Sequence, residues 1–549
     1  MRLYLLPLLV LLSASSLAQK SRKEDAELAA NLRSHVTFLT SRELEGRRTG
    51  TEGERLAAEY IMLQFGKAGL AQKGSDGFLQ AFEVNDGLKV EGTKLLVNGN
   101  ELRLNQDYFP LAWSGNAQVK GSPALALEEQ GSPWFRDMKE LLEENKQNPH
   151  FDLEEALQKM AASVKKRGGT ALLLYNSSSI DDGLAFEPKD HRPRVEIPVL
   201  YLRKEAFKKY FSDESASHDV TLVSQVSPQT REGHNVVGYI DNGAPTTIVF
   251  GAHFDHLGHG EDGNSMYRGT DKQIHYGADD NASGTAALME LARLLKASKY
   301  KHNNYLFIAF SGEELGLYGS KYYVEHPTID LKSINYMVNL DMLGRLNDST
   351  HVLTIGGYGT SPSWGQLYGL TGKKALTAGD LVYRFDSSGT GPSDHTSFYR
   401  KDIPVLFYFT GLHSDYHKPS DVADKLNING EVQVLRHILS LVQHTDGAGR
   451  LAFSKTREVQ MGSARFSVTL GIMPDYTFAG AGVKVDGVSD GRPAQKAGLQ
   501  AGDIITALGP HKVTSVENYM EALGKFKKGD STTVTYQRGG QEATTTVQF

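Results

Sequence analysis

Between Asn235 and about residue 450 the chain alternates short apolar runs with longer stretches whose apolar residues recur at helical spacing. Thr246 to Phe250, Tyr305 to Phe310, Ile334 to Leu340 and Pro404 to Thr410 read as buried strands. Ala282 to Ala297 and Leu317 to Val324 read as helices between them. Strands that alternate with helices in this way predict an α/β fold with a doubly wound, mostly parallel sheet. Upstream, Glu24 to about Leu70 is helical in pattern, with Leu56, Tyr60, Ile61 and Phe65 on one face. The polar segment Arg42 to Gly50 interrupts it.

Outside this block the pattern changes. Residues near 95 to 230 give short β-type runs, Ala171 to Tyr175 and Ile197 to Leu202, separated by polar loops and one charged helical stretch, Asp137 to Lys166. Gly447 to Gly462 reads as a linker. Arg465 to Phe549 reads as a compact unit of short strands with one helix, Val516 to Phe526. The organisation expected is an α/β core in two parts, residues 24–95 and 231–450, a β-rich insertion over 96–230, and a C-terminal domain over 462–549.

Residues 1–18 stand apart. A basic start, Met1-Arg2-Leu3-Tyr4, precedes the apolar run Leu5 to Leu12 and small residues ending at Ala18, the form of a secretory signal cut after Ala18. The run is shorter than the roughly 20 apolar residues a membrane span requires, and no other stretch is long enough. The chain has no cysteine. That excludes disulfides, thiol chemistry, thiolate ligands and a lipid-modified cysteine, and points to a bacterial exported protein, periplasmic or extracellular. The 549 residues suffice for about three or four domains. A net charge of −6 gives no reason to expect nucleic acid as a partner.

Any metal must then be held by His, Asp and Glu, and their positions are informative. His253 and Asp255 follow the first strand, Asp279 and Asp280 open a helix, and Glu313 and Glu314 follow the second strand. Asp341 ends the third strand, and His417 lies in the loop after the fourth. The C-terminal ends of parallel strands converge on one crevice, where ligands bind. Two histidines, two terminal carboxylates and one shared carboxylate suit two ions, zinc by donor type, with manganese or cobalt also compatible. Two ions about 3.5–4 Å apart lower the pKa of a shared water. A neighbouring carboxylate can then act as base, a job for which Glu313 is placed. Asp255, two residues from His253 on an extended backbone, can accept the second imidazole N–H. Asp421 is expected to do the same for His417. Singly, each of these residues reads as a helix cap, a loop charge or a surface histidine; the combination carries the metal reading. His256, His259 and His275 read as loop histidines.

Gly251-Ala252-His253-Phe254-Asp255-His256, Gly277-Ala278-Asp279-Asp280-Asn281-Ala282-Ser283-Gly284, Ser311-Gly312-Glu313-Glu314-Leu315-Gly316, Asn339-Leu340-Asp341-Met342 and Asp415-Tyr416-His417-Lys418-Pro419 resemble the co-catalytic zinc aminopeptidases. That family also holds glutamate carboxypeptidase, the glutaminyl cyclases and the catalytically silent transferrin receptor. The resemblance implies His253, Asp280, Glu314, Asp341 and His417 as ligands of two Zn2+, with Asp280 as the bridge and Glu313 as general base. It depends at Asp279-Asp280 on anchoring Ser283-Gly284. Ser393-Asp394-His395 resembles a family element near the substrate pocket, and the loop Gly258 to Tyr276 is expected to shape specificity. Residues 96–230 resemble a protease-associated domain, chiefly through Ile197-Pro198-Val199-Leu200-Tyr201. The last segment resembles a PDZ domain through Pro493 to Ile505 and through Ser467 to Ile472. In that loop the backbone of Leu470, Gly471 and Ile472 would receive a peptide's C-terminal carboxylate. The activity implied is hydrolysis of N-terminal peptide bonds. A glutaminyl cyclase, a carboxypeptidase, or a non-catalytic receptor or scaffold on the same fold are the alternatives.

Overall fold

The computed structural model describes the chain except residues 1–4, 149–150, 191, 212, 214–215, 371–374, 377–378, 457–467, 475–480, 489–490 and 515. It divides into two compact units, one of Met1–Val84 with Glu232–Phe549 and one of Asn85–Arg231.

The first unit is built on a sheet ordered Ala71–Gln72, Val226–Ile240, Asn304–Phe310, Thr247–His253, Ile334–Leu340, Val405–Phe409, Val352–Gly356, Val382–Phe385, with Leu79–Val90 also paired to Val226–Ile240. Its four middle strands, Asn304–Phe310 to Val405–Phe409, are parallel, and the strands that flank them are antiparallel. The middle strands are apolar throughout because both faces are covered. Along Asn304–Phe310, Tyr305, Phe307 and Ala309 enter one core, while Leu306, Ile308 and Phe310 enter the other. This period of two is what a pleated strand dictates. Helices Leu5–Leu39, Glu52–Lys67, Gly284–Lys296 and Ile428–Thr445 pack on the first face, and Tyr318–Glu325 and His395–Tyr399 on the second. Phe307 is fully buried, and its truncation to alanine would cost about 3–5 kcal/mol. Among the described residues no helix is long and apolar enough to cross a membrane.

The C-terminal domain has its own core, including Leu470, Val485, Ile505 and Val534, inside strands from Ile472–Pro474 to Gln541–Gln548. The helix expected from Val516 to Phe526 is Val516–Leu523, and it is not alone, since Pro493–Lys496 forms a second, short helix. Gly524 follows Leu523 directly, a residue type that favours helix ends. Leu470 and Gly471 are described, with Gly471 at φ 79°, whereas Ser467 lies outside the described residues. The early part of the segment expected as a linker lies along the α/β core: Phe453 packs on Tyr399 at 5.6 Å, and the Thr456 N–H donates to the Tyr399 hydroxyl at 3.0 Å. Residues 457–462 of that segment lie outside the described ones.

The unit Asn85–Arg231 holds two four-stranded sheets. The single charged helix expected from Asp137 to Lys166 is instead two, Lys139–Asn145 and Leu153–Lys166. Asn148 precedes a proline, which disfavours helical geometry there. The second helix starts afresh on Asp152, whose carboxylate accepts the Glu155 N–H at 3.0 Å.

Candidate metal centre

Three parallel strands end side by side. His253 closes Thr247–His253, Glu313 and Glu314 follow Asn304–Phe310, and Asp341 follows Ile334–Leu340 directly. His417 comes from the loop after Val405–Phe409, and Asp280 from the turn Ala278–Ser283 that leads into Gly284–Lys296. The Asp280–Asn281 peptide is cis. The Asn281 amide ties this turn to the end of the neighbouring strand, donating to Leu340 O (2.9 Å) and accepting from Met342 N (3.1 Å).

Asp280 therefore sits between the two histidines. Its Oδ1 is 3.4 Å from His253 Nε2, which is also 3.5 Å from Asp341 Oδ1. Its Oδ2 is 3.3 Å from His417 Nε2, which is also 3.1 Å from Glu314 Oε2. Asp279 faces elsewhere: its carboxylate accepts from Gly344 N (2.6 Å) and Ser283 Oγ (3.0 Å) and lies 3.3 Å from His413 Nε2.

Negative charge predominates here. Burial opposes an imidazolium at His253 and His417, yet the surrounding carboxylates outweigh it and hold both well above 6.5. Burial likewise opposes ionisation of Asp280 and Glu314, but the histidines hold Asp280 well below 3.8 and Glu314 at about 2. At Glu313 burial prevails over the help of His253, and with Glu314, Asp394 and Asp341 close by it raises the carboxyl well above 4.5. Asp280 Oδ2 is buried and receives no hydrogen bond of good geometry. A buried ionised oxygen is costly unless a cation pairs with it. The donors form two close groups, His253–Asp280–Asp341 and His256–Asp280–Glu314, with Asp280 common to both. This imidazole and carboxylate set fits zinc-type ions.

The model of peptidase family M28 matches residues 235–442, a span containing every one of these side chains, and that of the PDZ domain matches residues 452–549. Residues 235–442 thus carry the sequence of a peptidase family M28 domain. It is 26% identical over 280 residues to aminopeptidase YwaD of Bacillus subtilis, covering 49% of this chain and 55% of that protein. It is 30% identical over 196 residues to leupeptin-inactivating enzyme 1 of Streptomyces exfoliatus, covering 35% and 39%. The chain thus spans about half or less of the length of these two relatives. A solved structure of BSAP, a zinc aminopeptidase from Bacillus subtilis, aligns with a TM-score of 0.42 at 21% identity, over 78% of this chain and 96% of that one.

Around these donor groups, several residues act differently from their sequence-based expectation. Asp255 lies under His253, but the imidazole Nδ1 is nearer the Asp255 carbonyl (3.2 Å) than its carboxylate (3.7 Å). The carboxylate accepts instead from Thr49 Oγ1 (3.1 Å), Glu313 N (3.2 Å) and Glu314 N (3.4 Å), so it fixes the loop that carries both glutamates. Asp421 does not orient His417. It accepts from the backbone N–H groups of Asp279 (2.8 Å) and Asp280 (3.2 Å) and pairs with Arg345, because the chain after His417 turns back beneath the Asp280 turn. His417 Nδ1 donates to Asn264 O at 2.9 Å, and Met266 N donates to His417 O at 2.9 Å. The Asn264 amide also donates to Glu314 O at 3.1 Å. The loop Gly258 to Tyr276, expected to shape specificity, thus braces His417 and Glu314, and the Arg48–Asp262 pair (2.7 and 2.9 Å) anchors it.

His256, read as a loop histidine, is buried in the site with Nδ1 2.8 Å from Glu314 Oε1. His275 meets Ser265 Oγ at 2.6 Å instead, and burial pulls it down to about 4. Ser393 Oγ donates to Asp341 Oδ2 at 2.7 Å and accepts from Asn339 Nδ2 at 2.7 Å. Burial raises neighbouring Asp394 to about 7, and His395 stacks on Phe407 at 4.6 Å. Arg47 escaped the sequence reading altogether. It is fully buried and donates to Phe254 O (2.7 Å), Leu39 O (2.6 Å), Tyr276 O (2.8 Å) and Gly277 O (3.0 Å), clamping the segments beside His253 and Asp280. Burial lowers it to about 10, which leaves it charged at neutral pH beside Asp255 and Asp280.

Proposed function

We propose that this chain is an exported metallo-aminopeptidase that uses two zinc ions to hydrolyse the N-terminal peptide bond of peptides. The observation that carries the reading is Asp280, which turns one oxygen towards His253 and Asp341 and the other towards His417 and Glu314. Relatives named as aminopeptidases support the substrate class, and the imidazole and carboxylate donors support zinc. Bound there, zinc supplies a Lewis acid for the scissile carbonyl and lowers the pKa of the attacking water. Glu313, raised by burial and by its acidic neighbours, takes the water's proton and returns it to the leaving amine. Asp255 keeps Glu313 in register through its backbone N–H.

The segment up to Ala18 serves as the export signal, and residues 96–230 as a protease-associated insertion. At the PDZ domain, Leu470, Gly471 and Ile472 receive a peptide C-terminus. Among the described residues, the strand Ile472–Pro474 is the terminal strand of its sheet, an edge for strand addition.

The test is metal content together with hydrolysis of a panel of unblocked aminoacyl chromogenic substrates, wild type against Glu313→Gln. The expected result is turnover by the wild type, a fall of roughly 10²–10⁴-fold in the variant, and equal metal in both. Metal-loaded protein that cleaves only N-blocked peptides, or cyclises N-terminal glutamine, would replace the aminopeptidase reading. Inertness towards all of these would leave the scaffold reading.

A further inference from the structure

The two glutamate oxygens at position 314 have different partners. Oε2 lies 3.1 Å from His417 Nε2, on the side shared with Asp280, whereas Oε1 lies 2.8 Å from His256 Nδ1. A carboxylate only accepts, so Nδ1 of His256 donates in this contact, and Nε2 is buried without a hydrogen-bond partner. The ring has little freedom to leave. A Cβ added at Gly277 would lie 2.5 Å from its Cγ and Cδ2, the Gly277 carbonyl is held by Arg47, and His256 N donates to Arg47 O at 3.2 Å. The Glu314 backbone is pinned in turn by Asp255 and Asn264. Both the carboxylate and its imidazole partner are thus fixed.

From this we infer that His256 is a positioning residue: it occupies one oxygen of Glu314 and presents Glu314 to the metal centre through the other oxygen alone. A glutamate held to one oxygen leaves a coordination position for water or substrate, which a two-oxygen donor would fill. The 4.0 Å separation between His256 Nδ1 and Asp280 Oδ2 is long for any direct contact, so Glu314 is the partner that matters. The inference rests on the metal reading proposed above, and it concerns a side chain that the sequence left among ordinary loop histidines.

The test uses the full chain loaded with Co2+. The His256→Phe variant keeps ring bulk and removes the donor, whereas His256→Asn keeps an N–H near the position of Nδ1. In His256→Phe the dissociation constant of the more weakly held cobalt should rise roughly 10–100-fold. Its visible bands should weaken as Glu314 turns to two-oxygen binding and the coordination number rises. His256→Asn should return both quantities close to wild type. His256→Ala repeats the measurement should the Phe variant fail to fold. Cobalt affinity and spectrum unchanged in His256→Phe would overturn the inference. Equal losses in the Asn and Phe variants would also overturn it and make His256 a ligand. A wild type that binds no cobalt would remove the metal reading itself.

Discussion

Two buried histidine–carboxylate clusters lie in the same unit, and they differ in how their charges are matched. In the helical layer, Glu290 receives His35 Nε2 (3.4 Å) and Arg293 Nε (3.1 Å) on one oxygen, and Asn31 Nδ2 (3.2 Å) and Arg293 Nη2 (2.7 Å) on the other. His35 is completed by the Tyr60 hydroxyl at 2.9 Å. Both Glu290 oxygens have donors, the one buried acid faces one arginine, which also reaches the exposed Glu27 at 3.8 Å, and the cluster joins three helices. At the strand ends, Asp280, Glu313, Glu314 and Asp341 gather around His253 and His417, and Asp280 Oδ2, although 3.3 Å from His417 Nε2, receives no hydrogen bond of good geometry. A matched buried cluster is a fastening between helices. An unmatched one, with acids in excess, is a site that needs cations, and this imbalance separates function from packing in two groups of similar composition.

The largest difference should come from metal removal. Chelation should abolish hydrolysis and lower the midpoint of thermal unfolding, with both restored by zinc, since an ion bound only to the folded state stabilises it by about 4 kcal/mol at 1,000 times its Kd. Survival of activity in the stripped protein would erase the contrast.

Glu290→Gln should do the reverse. It should leave metal content and turnover intact but destabilise the domain by about 2–3 kcal/mol at neutral pH, read by chemical denaturation. The pH dependence has a definite sign. Despite burial, His35 and Arg293 hold Glu290 at about 2, below its ordinary 4.5. Its contribution is therefore complete above pH 4.5 and is lost as pH falls towards 2. The stability gap between wild type and Glu290→Gln should close over that window, and a gap that stays constant would show that the cluster is not ionic.

Much of this was legible in the chain itself. The apolar runs stop shortly before His253 and Glu313 and at Asp341, so strand boundaries alone place those residues at one end of a parallel sheet. What was not legible depends on contacts between segments far apart in sequence. Arg47 sits in a polar interruption whose local pattern says only that a helix stops, and its burial is decided by four carbonyls from other segments. Asp421 has helpful spacing from His417, but the loop folds it under Asp279 and Asp280. His256 neighbours Asp255 in sequence, yet it meets Glu314, 58 positions away. The break in the charged helix was readable from Asn148-Pro149 and Asp152, where local proline and capping chemistry outweigh a continuous helical pattern.

The most direct measurement is the number of zinc ions per chain, by elemental analysis after exhaustive dialysis, for wild type, Glu290→Gln and Asp280→Asn. The account predicts two in the wild type, two in Glu290→Gln, and fewer than one in Asp280→Asn, because both donor groups share Asp280. A wild type without zinc, or an Asp280→Asn variant that still holds two ions, would contradict it.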